Sequence, residues 1–267
     1  MIIGQDKLLN KINQYNLDTF PKTIALIGPE GSGRHLIIDY IANHLNLSYT
    51  DITNEISYET IVELSTKVEP NIYILDANSL SIKDENIILK FIEEPLKNSF
   101  IIIYCTAESQ LIDTVISRCQ VWRLDKYKLE HLNKFSSYPL NGYDIHVLDT
   151  PGKLLKYNNY NEIKDIKDLV SKIFNNIKTA NIQNILTLSD KISFNGEENK
   201  FDFNLFIDFL LYESMNYFIL NPLICKQSWL IYKRTFELSN SRFAYSFNKK
   251  QLFEKYLLDL KLIYNME

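Results

Sequence analysis

The stretch Thr23-Ile24-Ala25-Leu26-Ile27-Gly28-Pro29-Glu30-Gly31-Ser32-Gly33-Arg34-His35 decides how the chain is read. An apolar, partly β-branched run leads into a glycine-rich turn, and from Arg34 to Leu45 apolar residues step by three and four. That order predicts a strand over Thr23–Ile27, a tight loop, and a helix over Arg34–Leu45. Three of the seven glycines fall in this loop. Gly28 and Gly33 have the spacing of a phosphate-binding loop, in which glycines let backbone N–H groups close around phosphate oxygens at a helix N-terminus; Gly31 lies between them. The same residues also suit an ordinary glycine-rich strand-to-helix turn.

The next two positions break the phosphate-loop pattern. A hydrolytic loop carries Lys followed by Ser or Thr, whereas Arg34 and His35 stand here. Arginine keeps the positive charge, but its longer planar fork does not replace a compact ammonium. His35 removes the hydroxyl that would hold magnesium, a metal that takes hard oxygen ligands. A second phosphate-site motif should end a later buried strand with acidic residues. Ile72-Tyr73-Ile74-Leu75-Asp76 supplies the strand and the first carboxylate, but Ala77 stands where a glutamate would activate water. Loss of a general base costs about a hundred- to ten-thousand-fold in rate.

Around these motifs the first half alternates strands and helices, the mark of a parallel sheet covered by helices. Further strands are expected at Ser48–Ile52, Ile72–Leu75, Phe100–Tyr104 and Val121–Leu124, and a helix at Lys83–Glu94 stopping before Pro95. After Leu124 strands are expected to disappear, leaving helices broken at Tyr138–Asp144, Thr150–Gly152 and Asn195–Lys200. Phe203–Leu220 reads as a buried helix and not a membrane span, because Asp208, Glu213 and Asn216 interrupt it. Gln251–Tyr264 sets Leu252, Phe253, Tyr256, Leu257, Leu260 and Ile263 on one face. The expected division is 1–125, 126–194 and 195–267.

A chain of 267 residues with 46% hydrophobic and 23% charged residues is a folded globular protein of two or three domains. A net charge of −4 gives no overall attraction to nucleic acid, so any DNA contact is local or made by partners. Cys105, Cys119 and Cys225 show no metal-ligand spacing, so no zinc site is expected; few cysteines and no signal peptide point to the cytoplasm.

In this order the motifs resemble the bacterial clamp-loader subunits of the delta-prime type, members of the AAA+ family. Ile3-Gly4-Gln5 is similar to the family's opening motif. Leu75-Asp76-Ala77-Asn78-Ser79-Leu80, continuing through Leu89-Lys90-Phe91-Ile92-Glu93-Glu94-Pro95, is similar to its second phosphate-site stretch and following helix. Thr106 falls at the first sensor position. Ser117-Arg118-Cys119-Gln120 matches the Ser-Arg-Cys signature, the most specific of these, and Asp149-Thr150-Pro151-Gly152-Lys153-Leu154-Leu155 resembles the second-sensor motif, with Lys153 in the basic position. The four-cysteine zinc module of many relatives has no counterpart in His35–Pro70.

The resemblance implies an α/β AAA+ core, a helical lid and a C-terminal helical collar. It implies assembly with clamp-loader ATPase subunits of the gamma/tau type and with delta, and action on a sliding clamp and primed DNA through that complex, with no membrane partner. Arg118 would be an arginine finger supplied in trans. Gly28, Gly31, Gly33, Arg34, His35, Asp76, Thr106 and Lys153 would form a degenerate nucleotide site, ATP or ADP occupancy being left open. Plainer readings stand beside these: an ion-paired Arg118, a packed Cys119, a strand-ending Thr106, a helix-start Lys153, and solvated or structural His44, His131 and His146. A divergent but active AAA+ ATPase, of clamp-loader or DNA-remodelling type, is the alternative function.

Overall fold

The computed structural model describes residues 2–66, 69–93, 99–177, 179, 181, 183–184, 187–193, 201–241 and 248–265. Two compact units emerge: Met1–Leu140 with Leu148–Lys156, and Asn141–Val147 with Tyr157–Glu267.

The first unit is built on β1 (Thr23–Ile27), β2 (Tyr49–Asp51), β3 (Ile72–Asp76), β4 (Phe100–Cys105) and β5 (Gln120–Arg123). They form one five-stranded parallel sheet in the order β2-β3-β4-β1-β5. Strand periodicity divides the core between the two faces. Ile24, Leu26, Ile72, Ile74, Phe100, Ile102 and Tyr104 pack on one side with α1 (Asp6–Ile12) and α2 (Arg34–Leu45). Ala25, Ile27, Tyr73, Leu75, Ile101, Ile103 and Cys105 pack on the other. That second face is covered by α3 (Tyr58–Thr66), α4 (Ile82–Glu93) and α5 (Asp113–Ile116). Such near-continuous apolar runs belong to strands buried on both faces, as parallel sheets are. Two short helices, α6 (Leu129–Leu132) and α8 (Pro151–Lys156), complete this unit.

The five expected strands all form, to within a residue or so at each end, and α2 has the expected bounds. The helix after β3 also forms; its expected stop at Glu94 and Pro95 lies outside the described residues. Helix α3 is an addition to the expected elements.

The second unit contains α7 (Asp144–Val147), α9 (Tyr160–Asn176), α10 (Phe203–Leu220), α11 (Cys225–Ser241) and α12 (Lys249–Tyr264). Asn159, Asp202 and Asn248 cap α9, α10 and α12 by accepting backbone N–H groups of their first turns. The stripe expected on α12 is buried at Phe253, Tyr256, Leu257, Leu260 and Ile263. Two expectations are corrected. Strands do not end at Leu124, because β6 (Ile192–Ser193) pairs in parallel with β7 (Phe201–Asp202). A ladder two residues long has no periodicity to read. The break expected at Thr150–Gly152 lies two residues earlier, at Leu148–Thr150, because Pro151, whose fixed φ suits a first helical position, already starts α8. The expected break at Asn195–Lys200 lies outside the described residues.

Among the described residues, no helix is long and apolar enough to cross a membrane.

Candidate functional site

The loop after β1 takes the backbone its glycines allow. Gly31 and Gly33 have φ values of +76° and +82°, a region that costs a side-chain-bearing residue strain. Gly33 is also the N-cap residue of α2, and no side chain caps that end. The first N–H groups of α2 therefore lack a capping oxygen, which leaves an anion-favouring terminus.

The loop is closed from behind by α8. Gly152 donates its N–H to the Gly31 carbonyl at 2.9 Å, and Thr150 Oγ1 donates to the Glu30 carbonyl at 2.9 Å. Tyr127 Oη donates to the Ser32 carbonyl at 2.7 Å. Together with the N-terminal segment these elements enclose a cleft of about 310 Å³, lined by Ile2, Ser32, Arg34, Tyr127, Phe135 and Leu155 among others. The N-terminal segment is held by Gln5, which is 1% exposed. Its Nε2 donates to the Asp125 carbonyl at 3.0 Å, and its Oε1 accepts the Asp125 N–H at 2.8 Å.

Arg34 and His35 both lie against Tyr104 of β4. The Arg34 guanidinium is 5.6 Å from the Tyr104 ring centre, and the His35 ring meets it edge-on at 4.8 Å. Burial, followed by the charges of Asp76 and Asp51, pushes the Tyr104 hydroxyl up to about 12, with Arg34 opposing.

Asp76 ends β3, and its carboxylate accepts the Asn78 backbone N–H at 3.0 Å and the Asn78 side-chain amide. Thr106 follows β4; its Oγ1 reaches Asn78 Oδ1 at 3.1 Å and Gln110 Oε1 at 2.7 Å. Gln110 Oε1 also accepts the backbone N–H groups of Thr106 and Ala107. The ends of β3 and β4 are thus tied by a polar chain running Asp76–Asn78–Thr106–Gln110. Sequence reading gave roles to its first and third members; Asn78 stood in the quoted stretch without a role, and Gln110 outside every motif. Lys153 of α8 pairs at 2.9 Å with Asp149, which precedes that helix.

Arg118 lies just beyond α5, away from these groups in the chain. Its Nη1 donates to the Thr114 carbonyl at 2.9 Å, and its Nη2 meets Glu93 Oε1 of α4 at 2.7 Å, the two side chains being 40% and 46% exposed. Cys119 is a free thiol that burial pushes up to about 12.

These residues fit a phosphate better than they fit a metal. Arg34 Nη1 and Ser32 Oγ are buried with no hydrogen-bond partner, and both residues line the cleft, so an anion there would satisfy them. For magnesium, position 35 offers imidazole, the Asp76 carboxylate is engaged by Asn78, and Ala77 brings no oxygen. Among the described residues no group of three or more His, Cys, Asp or Glu could hold a metal ion.

A family model described as DNA polymerase III, delta subunit, matches residues 52–128. That span contains β3, the polar chain and the Ser-Arg-Cys segment, but not the phosphate loop. The DNA polymerase III subunit delta' of Haemophilus influenzae is 36% identical over 53 residues, 20% of this chain and 16% of that protein. The middle of the chain is accordingly delta-prime-like. A variant of RuvB from Thermotoga maritima aligns with a TM-score of 0.51 at 15% identity, over 96% of this chain and 88% of that one. That likeness shows the fold alone: a parallel α/β core with a helical C-terminal part.

Proposed function

We propose, on the premise of a delta-prime-like middle segment in an AAA+ fold, that the chain is a non-hydrolysing clamp-loader subunit. In this reading it assembles in the cytoplasm with ATPase subunits of the gamma/tau type and with delta, and within that complex serves to load a sliding clamp on primed DNA. The core, lid and collar would be residues 1–125, 126–194 and 195–267. The observation that carries the reading is the state of the phosphate site. Its loop keeps the glycine backbone and two unsatisfied buried polar atoms, while the positions for a metal hydroxyl and a general base hold His35 and Ala77.

Without metal or base, this chain's contribution to catalysis would be Arg118, offered to ATP bound on a neighbour. Its planar fork suits phosphate oxygens, and its place at the end of a short helix leaves it solvent-accessible. A finger supplied in trans is worth about a thousand- to a hundred-thousand-fold in rate, or about 4 to 7 kcal/mol of barrier. Assembly is also consistent with apolar side chains exposed on the helical unit, where Leu220 is 76%, Leu223 99%, Trp229 47% and Phe236 46% exposed.

The test is reconstitution with clamp-loader ATPase subunits. Arg118→Ala should assemble normally yet reduce DNA-stimulated ATP hydrolysis by about a thousand-fold or more; unchanged hydrolysis removes the finger. The isolated chain should show no turnover above background, and hydrolysis abolished by Asp76→Ala would instead establish an active ATPase.

A further inference from the structure

Arg118 is not extended into solvent. Its guanidinium folds back on α5, with Nη1 on the Thr114 carbonyl at 2.9 Å and near Ser117 Oγ at 3.5 Å, and with Nη2 on Glu93 at 2.7 Å. Thr114 belongs to the four-residue α5, whose other carbonyls accept the N–H groups of Ser117, Arg118 and Cys119, and the Thr114 carbonyl takes the guanidinium beside the Ser117 hydroxyl, which donates to it at 3.0 Å. The Glu93 carboxylate is the last described residue of α4, and α4 is tied to the α5 segment at a second point. Glu85, 4% exposed, accepts the Ile112 N–H at 2.8 Å. The anion is therefore presented from the end of a helix whose first turn is tied to the α5 segment.

We propose that Glu93 is an internal latch for Arg118, a carboxylate that holds the guanidinium until a neighbour's phosphate displaces it. The inference rests on the finger reading above and names the regulation of that same residue. A carboxylate and a phosphate offer an arginine the same pair of acceptor oxygens, so they compete for one fork. Both side chains are partly exposed, so the latch is weak and salt-sensitive. A weak latch is what a reversible finger requires: strong enough to bias the free subunit, and too weak to resist Mg-ATP on a docked partner. Glu93 acts through Arg118, and is a positioning residue and not a catalytic one.

Two measurements test the latch, with Glu93→Gln as the variant because it keeps shape and removes charge at an exposed site. In the isolated, isotope-labelled chain, the Arg118 side-chain Nε–Hε resonance should shift and its guanidinium rotate faster in Glu93→Gln than in the parent, and the parent should approach the variant as salt is raised. An unchanged resonance means no latch exists. In the reconstituted complex, Glu93→Gln should raise ATP hydrolysis about two- to five-fold at limiting ATP, the range expected for releasing an exposed ion pair. The same change in an Arg118→Ala background should have no effect. Hydrolysis lowered or unaltered by Glu93→Gln, with Arg118→Ala still strongly impaired, overturns the latch and leaves the finger standing; hydrolysis indifferent to Arg118→Ala overturns the finger itself.

Discussion

A Cβ placed on Gly152 would lie 2.5 Å from the Cα of Gly31, and one placed on Gly31 would meet the Gly152 Cα at 3.0 Å. The phosphate loop and the start of α8 touch backbone to backbone, and only a pair of glycines lets the Gly152 N–H reach the Gly31 carbonyl at 2.9 Å. Pro151, Gly152 and Leu155 are thereby built into the wall of the cleft.

Gly152→Ala should therefore push α8 off the loop, with a loss of about 1–3 kcal/mol of stability, the usual cost of overpacking. Gly142→Ala is the control, because nothing lies within 4 Å of its would-be Cβ. It should stay within about 0.5 kcal/mol of the parent. Urea unfolding midpoints decide the comparison, and equal losses at both glycines would refute the close approach.

In the helical unit, Lys167 pairs with Asp144, a residue only 1% exposed. Lys167→Met would leave that carboxylate buried without its cation, at a cost of about 3–5 kcal/mol. Adding Asp144→Asn to Lys167→Met should recover part of the loss, since the amide retains an oxygen for the Asn141 N–H. Thermal unfolding of the three variants tests this; a Lys167→Met protein as stable as the parent rules the pair out as a support.

Alkaline pH should weaken the core unit. Burial pushes Cys105 from its ordinary 9.0 up to about 11, Cys119 from 9.0 up to about 12, and Tyr104 from 10.0 up to about 12. The folded state thus keeps protons that the unfolded state releases earlier. The resulting stability is fully present below pH 9 and is lost as pH rises from about 9 toward 12. Melting temperature should be insensitive to these groups up to about pH 9 and fall beyond it. Cys105 and Cys119 should resist iodoacetamide at pH 8 until urea is added, as followed by peptide mapping; rapid native labelling of either would contradict the burial.

Gln5→Ala removes both hydrogen bonds to the Asp125 backbone at a site that is 1% exposed. At about 1 kcal/mol for each bond, plus the penalty of unsatisfied buried groups, a loss of about 2–3 kcal/mol is expected. The Asp125 amide should exchange faster with deuterium in the variant, and unaltered protection would show that Gln5 does not hold the chain there.

Strands that become β1, β3 and β4 were legible because each is a continuous apolar run, and β1 leads straight into the glycines that mark its loop. Asp76 and Ala77 were legible because they end such a run. Helix α3 was missed because Tyr58–Thr66 mixes β-branched with charged residues, so its packing face emerges only against the sheet. The pairing of β6 with β7 joins residues nine positions apart in a ladder of two pairs, too short for any pattern. Asn78 and Gln110 were given no role because an amide has no characteristic spacing; each gains its place only once β3 and β4 lie side by side.

By itself the amino-acid order determined which side chains follow the glycine loop and end β3: His35 brings an imidazole and no hydroxyl, and Ala77 no carboxylate. It also determined the centre of the parallel sheet, where β3, β4 and β1 are apolar almost throughout because both their faces are covered. Only the folded chain decided what the remaining side chains do: Arg34 and His35 settle on Tyr104, Gly152 seats against Gly31, and Arg118 turns back to Glu93. Those outcomes depend on distances between segments far apart in the chain, which packing sets and local sequence does not contain.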